Sequence, residues 1–421
     1  MGLPAAASAG KVCRNNDGNP AMNKTSARLA FVFSNLGHFY IHMFTAMYAV
    51  IVLQLERDWS MSYEDLLRLW FWGSLMVGVM ALPAGRLGDW LTARVMMIVY
   101  FIGLGGASIV CGLIDGPRAM TAGLVALGVF AAIYHPIGIP WLIRNAPNSA
   151  GKVLAVNGIF GSIGTGGAGI VAGALIAVYG WRAAFIVPGA ICLATGLAMA
   201  YCLATGRLSS APPGRPSQAP QSRGDAVRVY VVLLVAMFFG GILYHVMQNG
   251  LPKVFSEELR DVIGEGPMMA GLLTSFVFVS GGIMQLIGGG LADRFALNRV
   301  YLICWFFQMV FVTLTAMIGG VGLVGMAALA IMANVASQPA ENMMLARYAP
   351  EKHHGLAFGL KFVLSFLTGP LAVALIAFVR EQTGGMYWLF TGLGIAGVAV
   401  VLLILALPTV ARDRPASAPA E

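Results

Sequence analysis

Twelve stretches of mostly apolar residues follow one another along this chain, and each is long enough, at about 20 residues, to cross a membrane as a helix. Only 10% of the 421 residues are charged and 58% are hydrophobic, so a water-soluble globule would lack the polar groups to cover its surface. Lipid is therefore the predicted solvent, and the predicted fold class is an all-α, polytopic membrane protein. The predicted segments are 27–54, 64–83, 94–114, 119–143, 153–178, 183–205, 228–251, 268–290, 298–319, 321–346, 354–379 and 387–410.

The second half of the chain repeats polar and small residues of the first half at a nearly constant distance. The pairs, each 203 or 204 positions apart, are Gly85 and Gly289, Asp89 and Asp293, Pro136 and Pro339, Arg144 and Arg347, Ala146-Pro147 and Ala349-Pro350, and Gly151 and Gly355. A duplicated unit of six segments explains this spacing, and such parallel duplications occur in membrane carriers. The sequence therefore predicts two pseudo-symmetric six-helix bundles and favours a carrier.

Composition sets the predicted domain boundaries. Residues 1–26 have no apolar core and form a polar arm, whereas residues 27–205 and 228–410 form the two bundles. Residues 206–227 are rich in Pro, Ser, Gly and Arg, a composition typical of a mobile linker. The Pro- and Ala-rich residues 411–421 form a tail. We expect the arm, the linker and the tail to be cytoplasmic.

The basic residues are distributed unevenly over the loops. If the N-terminus is cytoplasmic, that side carries 18 of the 26 Lys and Arg residues, the other side carries seven, and Lys361 lies within a helix. This asymmetry follows the positive-inside rule. We predict a plasma-membrane protein of the bacterial inner membrane with both termini cytoplasmic. The net charge of +8 forms no basic face with aromatic residues, so no nucleic-acid partner is expected.

Two loops carry a family resemblance. Residues 85–94 (GRLGDWLTAR) and residues 289–295 (GGLADRF) occupy equivalent loops of the two halves. Both resemble the signature loop of the major facilitator superfamily, in which the loop's Asp and Arg make contacts that hold the outward-open state. The resemblance implies this gating role for Asp89, Arg94, Asp293 and Arg294. A carboxylate near a helix end and an arginine can lock two elements together on one side of the membrane and release them later.

A second set of residues is similar to the branch of that superfamily that contains fosmidomycin-resistance-type efflux proteins. The set consists of His38, Tyr134-His135-Pro136, Arg144, Asn157-Gly158, Gly180-Trp181-Arg182 and Phe185. Segment four lacks the Arg-Gln-Gly motif that is common in proton-coupled members. The resemblance implies two bundles that rock about a site at the middle of the membrane, and it favours efflux.

Six ionisable side chains fall inside the predicted segments, where an Asp, Lys or Arg costs ~2.5–3.5 kcal/mol to insert and so usually faces a cavity. They are His38, His42, His135, His245, Glu341 and Lys361. Helical spacing places Asn35, His38 and His42 on one face of segment one, and Gln338 and Glu341 on one face of segment ten. In the family, segments one, four, seven and ten line the central cavity, which implies that five of the six face it.

Three roles remain open for these polar groups. Carboxyl and imidazole groups exchange protons, so Glu341 and His245 are the hypothesised proton carriers, while Lys361 and the remaining polar residues bind the solute. Alternatively, His38 and His42 can present two nitrogens to a transition metal, and His245, Glu341, Met43 or Met247 could complete the site. In the third interpretation, each polar group only holds neighbouring helices together by hydrogen bonds.

No phosphate-binding loop, His-Glu-x-x-His pair or serine elbow occurs, so we predict that the chain is not an enzyme and uses no cofactor or resident metal. The predicted function is a monomeric secondary carrier that exports a small organic solute, anionic solutes included, and is driven by protons. The expected partners are lipid, the solute and protons. Import of a nutrient or a transition-metal ion is the alternative within transport. A membrane protein that binds or assembles without transporting is the alternative of another class.

Overall fold

The structure, a computed structural model, describes residues 24–146, 150–209, 223–264, 266–348 and 354–407. The described residues form fifteen helices and no strand. Twelve helical spans among them are long and apolar enough to cross a membrane. The prediction of an all-α, twelve-span membrane protein is confirmed.

The first six spans contain eight helices, because two of the spans are interrupted. These helices are α1 (Lys24–Asp58), α2 (Tyr63–Val79), α3 (Ala81–Trp90), α4 (Ala93–Leu113), α5 (Pro117–Ala131), α6 (Tyr134–Arg144), α7 (Ala150–Tyr179) and α8 (Trp181–Ala204). The second half adds six long helices and one short one. They are α9 (Arg223–Glu258), α10 (Arg260–Ile263), α11 (Pro267–Arg294), α12 (Leu297–Met317), α13 (Val321–Tyr348), α14 (His354–Thr383) and α15 (Tyr387–Leu405).

Proline explains the interruption of the fourth span. The helix breaks at Ala132 and Ile133, and α6 begins immediately afterwards. Pro136 has no N–H to donate to the carbonyl of Ala132 four residues earlier, so the hydrogen-bond ladder is open at this point. In contrast, α13 continues through Pro339 as a helix. The break places His135 at the start of a new helix rather than in the middle of a long one.

Side-chain caps fix where two helices begin. The Ser62 hydroxyl accepts a hydrogen bond from the backbone N–H of Asp65 at 3.1 Å, and the Thr92 hydroxyl accepts one from Val95 at 3.4 Å. Each cap satisfies a backbone donor that has no partner within its helix. The starts of α2 and α4 are therefore set by local sequence.

Glycines allow helices of the same half to approach closely. A Cβ atom at Gly105 of α4 would lie 2.6 Å from the carbonyl oxygen of Gly189 on α8. A Cβ atom at Gly128 of α5 would lie only 2.0 Å from the carbonyl oxygen of Gly73 on α2. Packing at this distance requires residues without a side chain. It stabilises helix pairs in lipid, where no hydrophobic effect drives helices together.

The two halves meet along two helix pairs, α7 with α11 and α2 with α14. Gly169 of α7 faces Gly271 of α11, and a Cβ atom at Gly169 would lie 2.2 Å from the carbonyl oxygen of Gly271. On the other side, Gly78 of α2 packs against Phe366 and Leu367 of α14. The interface between the halves is thus formed mainly by one pair of helices on each side, and α1 adds contacts with α9 and α11.

The predicted domain boundaries lie partly beyond the described part of the chain. Helix α1 begins at Lys24, within the predicted arm, and α9 begins at Arg223, within the predicted linker. The rest of the arm, the linker and the tail lies outside the described residues, at 1–23, 210–222 and 408–421. These three segments remain predictions.

Candidate transport site

Three histidines come together between α1 and α6. His38 and His42 lie one turn apart on α1, and their Nε2 atoms are 3.1 Å apart. The ring of His135, on α6, lies 5.4 Å from the His38 ring and 5.7 Å from the His42 ring, measured between centroids. One ring nitrogen of each histidine lies within 4.8 Å of the other two. We call these three residues the histidine cluster.

The His38 ring is held on several sides. Its Nδ1 atom lies 2.6 Å from the carbonyl oxygen of Asn157 on α7, and Tyr134 stacks on the ring at 5.2 Å. Gly161, also on α7, leaves space for the ring, because a Cβ atom there would lie 2.8 Å from His38 Cε1. A carbonyl oxygen can only accept, so Nδ1 donates. In the neutral ring, Nε2 then carries a lone pair that faces His42.

Asn35 belongs to a hydrogen-bond network one turn away from the histidine cluster. Its Oδ1 atom accepts a hydrogen bond from Asn157 Nδ2 at 3.0 Å. The Tyr134 hydroxyl donates to the carbonyl oxygen of Ser34 at 2.8 Å, and it lies 2.9 Å from Asn157 Nδ2. The network joins α1, α6 and α7, and Asn35 is only 1% exposed. In this structure Asn35 therefore connects helices.

A second polar centre lies in the other half of the molecule. The Lys361 ammonium of α14 donates to Glu341 Oε1 of α13 at 2.9 Å, and the Tyr301 hydroxyl of α12 donates to Glu341 Oε2 at 2.9 Å. Lys361 also donates to the amide oxygen of Asn342. The side chains of Glu341 and Lys361 are 9% and 12% exposed, respectively. We call Glu341 and Lys361 the acid–base pair.

Polar contacts also cross from the first half towards the acid–base pair. The Ser162 hydroxyl of α7 donates to Gln285 Oε1 of α11 at 3.3 Å. Gln285 Nε2 lies 3.5 Å from Gln338 Oε1 of α13, and Gln338 precedes Glu341 by about one helical turn. Gln338 therefore lies between the interface of the halves and the acid–base pair.

His245 lies on α9 and is not part of the histidine group whose nitrogens lie within 4.8 Å of one another. Its ring faces α14, where a Cβ atom at Gly369 would lie 3.9 Å from His245 Cε1. The six ionisable residues singled out from the sequence thus occupy three places: the histidine cluster, the acid–base pair and the contact between α9 and α14. Their action in one common site stays a prediction.

Charged side chains close one end of the molecule. This end is formed by the last turns of α1, α9 and α14 and the first turns of α2. We call it the clasp end. Among the described residues, three ion pairs join the two halves there. They are Lys253 with Glu56, whose two carboxylate oxygens each lie 2.7 Å from the ammonium, Arg380 with Glu64 at 2.7 Å, and Arg68 with Glu381.

Burial strengthens the ion pairs of Arg380 and Lys253 at the clasp end. The side chains of Arg380 and Lys253 are 6% and 11% exposed, so water screens their charges less than it screens charges at a surface. Arg380 also binds both carboxylate oxygens of Glu257 at 2.8 and 2.9 Å. The Tyr63 hydroxyl donates to the carbonyl oxygen of Asn249 at 2.7 Å and so adds a neutral contact between the halves.

Lys253 and Arg380 were not among the residues singled out from the sequence. Each is a basic residue near the end of an apolar segment, and acidic residues lie close to the ends of other segments. That pattern could have indicated ion pairs at this end. The partners, however, are 197 and 316 positions apart, so the pairing itself depends on how the helices pack.

The signature loops lie at the opposite end, which we call the linker end. Arg94, at the start of α4, donates to the carbonyl oxygen of Leu208 at 2.8 Å and so holds the chain that follows α8. Asp293 and Arg294 are exposed at the end of α11, and the Asp89 side chain lies outside the described part of the structure. The gating role of these four residues stays a prediction.

Helices α7 and α11 approach each other most closely towards the clasp end. A Cβ atom at Gly173 would lie 2.8 Å from the Met268 backbone, and one at Gly166 would lie 2.5 Å from the Val279 side chain. Near the linker end, a Cβ atom at Gly158 would meet nothing closer than Gln285 at 3.6 Å. The two halves are therefore in tightest contact at the clasp end.

Comparison with known proteins identifies relatives of the whole chain and of one part of it. The sequence model of the Major Facilitator Superfamily matches residues 35–260 and 237–421. A probable actinorhodin transporter of Streptomyces coelicolor is 31% identical over 121 residues, which are 27% of this chain and 21% of that protein. The chain thus matches about a fifth of the length of that relative.

Two solved structures have a similar fold. Both are of a bacterial homolog to the human lysosomal transporter Spinster in an inward-facing conformation, one unoccupied and one occupied. Their TM-scores are 0.67 and 0.68, and each covers 91% of this chain and 95% of the compared chain. Sequence identity is 14% in both cases, so the similarity concerns the fold alone.

Proposed function

Because the chain belongs to the major facilitator superfamily, whose members are transporters and not enzymes, we propose that it is a secondary carrier that exports a small organic solute in exchange for protons. The family predicted from the two signature loops is confirmed. Transport by alternating access, in which the two halves rock about a site between them, follows from the duplicated architecture. The solute, the protons and the direction are our proposal.

The acid–base pair is the observation that carries this proposal. A carboxylate within a membrane span, as Glu341 is, is costly to insert, and such groups usually serve transport. Glu341 accepts hydrogen bonds from Lys361 and Tyr301, so each carboxylate oxygen has one partner before any solute binds. A solute that binds either partner must share or break these contacts. Solute binding and protonation of Glu341 are therefore linked.

The sign of this linkage decides between exchange and co-transport. A solute that donates hydrogen bonds to the Glu341 carboxylate competes with a proton for the same oxygens, and competition produces exchange. We therefore propose a solute that presents hydrogen-bond donors to Glu341. An anionic solute would instead bind Lys361 once protonation of Glu341 releases the lysine, which produces co-transport. Import of an anionic nutrient with a proton is thus the second candidate, and the Lys361 ammonium is the observation that favours it.

The ion pairs of the clasp end define the side on which the two halves are closed. The positive-inside rule assigns the linker end to the cytoplasm, which makes the clasp end the outer side. Fourteen residues separate His42 from Glu56 along α1, about 21 Å of helix, so the histidine cluster lies well to the cytoplasmic side of the closure. In this state the site would exchange solute with the cytoplasm, as it would in exporters and importers alike, so the proposed direction rests on the resemblance to efflux proteins. The name of the relative, an actinorhodin transporter, supports an organic solute.

The test uses purified protein in lipid vesicles. A thermal-shift screen against small organic solutes first finds a ligand, and its affinity is then measured at acidic and at alkaline pH. We expect affinity to fall on acidification and a proton gradient to drive the solute across the membrane. Glu341→Gln should remove both effects. Asp115→Asn is the matched control, because this carboxyl is exposed and pairs with Arg182 away from the site.

The outcomes separate the candidate functions. Affinity that rises on acidification would replace exchange with co-transport and favour the import of an anion. Flux without any pH dependence would remove proton coupling. A ligand that binds with no flux in vesicles would favour the alternative of a membrane protein that binds without transporting.

A further inference from the structure

We propose that His38, His42 and His135 form a binding site for a divalent transition-metal ion, with zinc as the reference ion. The sequence alone pairs His38 and His42 but does not place His135 beside them. This inference goes beyond the carrier function proposed above and does not depend on it, because it rests on the geometry of three imidazole rings.

The distances between the nitrogens suit a metal ion. Two nitrogens bound to tetrahedral zinc at about 2.05 Å each lie about 3.3 Å apart, and the Nε2 atoms of His38 and His42 are 3.1 Å apart. A ring nitrogen of His135 is within 4.8 Å of both. A movement of the His135 ring nitrogen by about 1.5 Å would bring it to the tetrahedral spacing from the other two nitrogens.

The surroundings of His38 are those of a ligating histidine. Metal-bound histidines usually donate their other ring N–H to a carbonyl or a carboxylate, which fixes the tautomer and the orientation of the ring. His38 Nδ1 donates to the carbonyl oxygen of Asn157 at 2.6 Å, and its Nε2 is thereby the nitrogen that faces the other two histidines. Gly161 and Tyr134 hold the ring from opposite directions. His38 is therefore prepared to bind before a metal arrives.

The chemistry of the ligands selects the class of ion. Among the described His, Cys, Asp and Glu side chains, the group consists of three histidines alone. Imidazole suits zinc, copper, nickel and cobalt, whereas magnesium and calcium require oxygen ligands. Three protein ligands leave a fourth position of a tetrahedral ion open for water or for a donor atom of a solute.

The position of the cluster allows a metal to stay bound while the halves move. All three ligands belong to the first half, on α1 and α6. The ring of Phe366, on α14 of the second half, lies 4.8 Å from the His135 ring. The ion would therefore lie next to the interface of the halves without cross-linking them.

The test is a metal titration of the full chain, purified with an affinity tag that contains no histidine and stripped with a chelator. Zinc binding is followed by calorimetry, and cobalt binding by visible absorption, because tetrahedral cobalt absorbs more strongly than octahedral cobalt. We expect one equivalent of zinc per chain and a tetrahedral cobalt spectrum that zinc abolishes. The absence of saturable binding to the wild-type protein would overturn the proposal.

Variants locate the site. His42→Ala and His135→Ala should each weaken zinc binding by about 100-fold or more, since removing a ligand costs more than the 10–100-fold loss caused by changes around one. His245→Ala is the matched control, because this histidine also lies within a span but is not among the three whose nitrogens lie within 4.8 Å of one another. Gly161→Ala keeps all three histidines but moves the His38 ring, so it should weaken binding and distort the cobalt spectrum. Thermal melting without metal confirms that each variant is folded.

Unchanged zinc affinity in folded His135→Ala would overturn the assignment. So would an equal loss in His245→Ala. Failure of the export proposal would leave these results unaffected, because none of the measurements requires a transported solute.

Discussion

The two halves of this carrier share one arrangement of helices but contain different polar centres. The offset of 203 positions that relates the halves pairs His42 with His245, His135 with Gln338 and His38 with Gly241. The second half therefore keeps one histidine at the positions of the histidine cluster and has Gln and Gly at the other two. It contains the acid–base pair instead. Duplication has kept small and polar residues of the signature loops, while the chemistry of the two interiors has diverged.

The ion pairs of the clasp end also differ between the two halves. In its two more buried pairs, the first half supplies the acids Glu56 and Glu64, and the second half supplies the bases Lys253 and Arg380. At the offset of 203 positions, Glu56 corresponds to Leu259 and Lys253 to Val50, so neither half repeats the charge of the other at this pair. The comparison teaches that the halves differ in charge where they meet, although their helices correspond.

The largest expected effect follows from Glu341→Gln, which would remove the charge that distinguishes the second half. We expect proton-driven flux in vesicles to fall to background while the protein still inserts. Lys361 would then lack its counter-charge, and removal of one partner of a buried pair typically costs ~3–5 kcal/mol of stability. Glu341→Gln combined with Lys361→Met should recover thermal stability but not flux. Proton-driven flux at the wild-type rate would remove Glu341 from the coupling role.

The next effect concerns the clasp. Lys253→Gln would remove the ion pair with Glu56. We expect the closed state to lose about 1–3 kcal/mol of stability, which shifts the equilibrium towards the open state by about 5–150-fold. Spin labels at positions 179 and 262, both exposed at the clasp end, should report longer distances. Arg182→Gln is the control, because its partner Asp115 lies in the same half. An unchanged distance distribution would show that this pair does not hold the clasp.

A smaller effect is expected when the first half loses its histidines. His38→Ala combined with His42→Ala should weaken solute binding about tenfold, or ~1.4 kcal/mol, with little change in melting temperature. His245→Ala changes the counterpart of His42 in the other half and tests whether the two positions are equivalent. If the double variant loses its folded state together with solute binding, a packing role for these histidines is favoured.

The smallest effect is expected at the linker end. Asp293→Asn removes an exposed charge at the end of α11, and the ionic contacts of exposed charges are worth ~0.2–1 kcal/mol, so solute exchange in vesicles should slow by up to about fivefold. Asp261→Asn, an exposed residue of α10 at the clasp end, is the matched control. Wild-type turnover in Asp293→Asn would argue against a latch in the second signature loop.

Parts of the candidate site could be predicted from the sequence, because they depend on neighbours along one helix. His38 and His42 are four residues apart, so helical periodicity alone places them on one face. Likewise, Gln338 and Glu341 share a face of α13. The third member of the histidine cluster could not be predicted in this way. His135 joins it because α6 begins anew after the break before Pro136 and packs against α1.

The sequence by itself determined the twelve spans, the duplication and the family, since these follow from stretches of apolar residues and from short motifs that are read locally. Only the tertiary structure decided which polar groups meet: His135 with His38, Lys361 and Tyr301 with Glu341, and the cations of one half with the acids of the other. The physical reason is that such contacts form between helices that are distant along the chain. Their distances depend on how each helix is rotated and tilted against its neighbours, and packing of the whole bundle sets those angles.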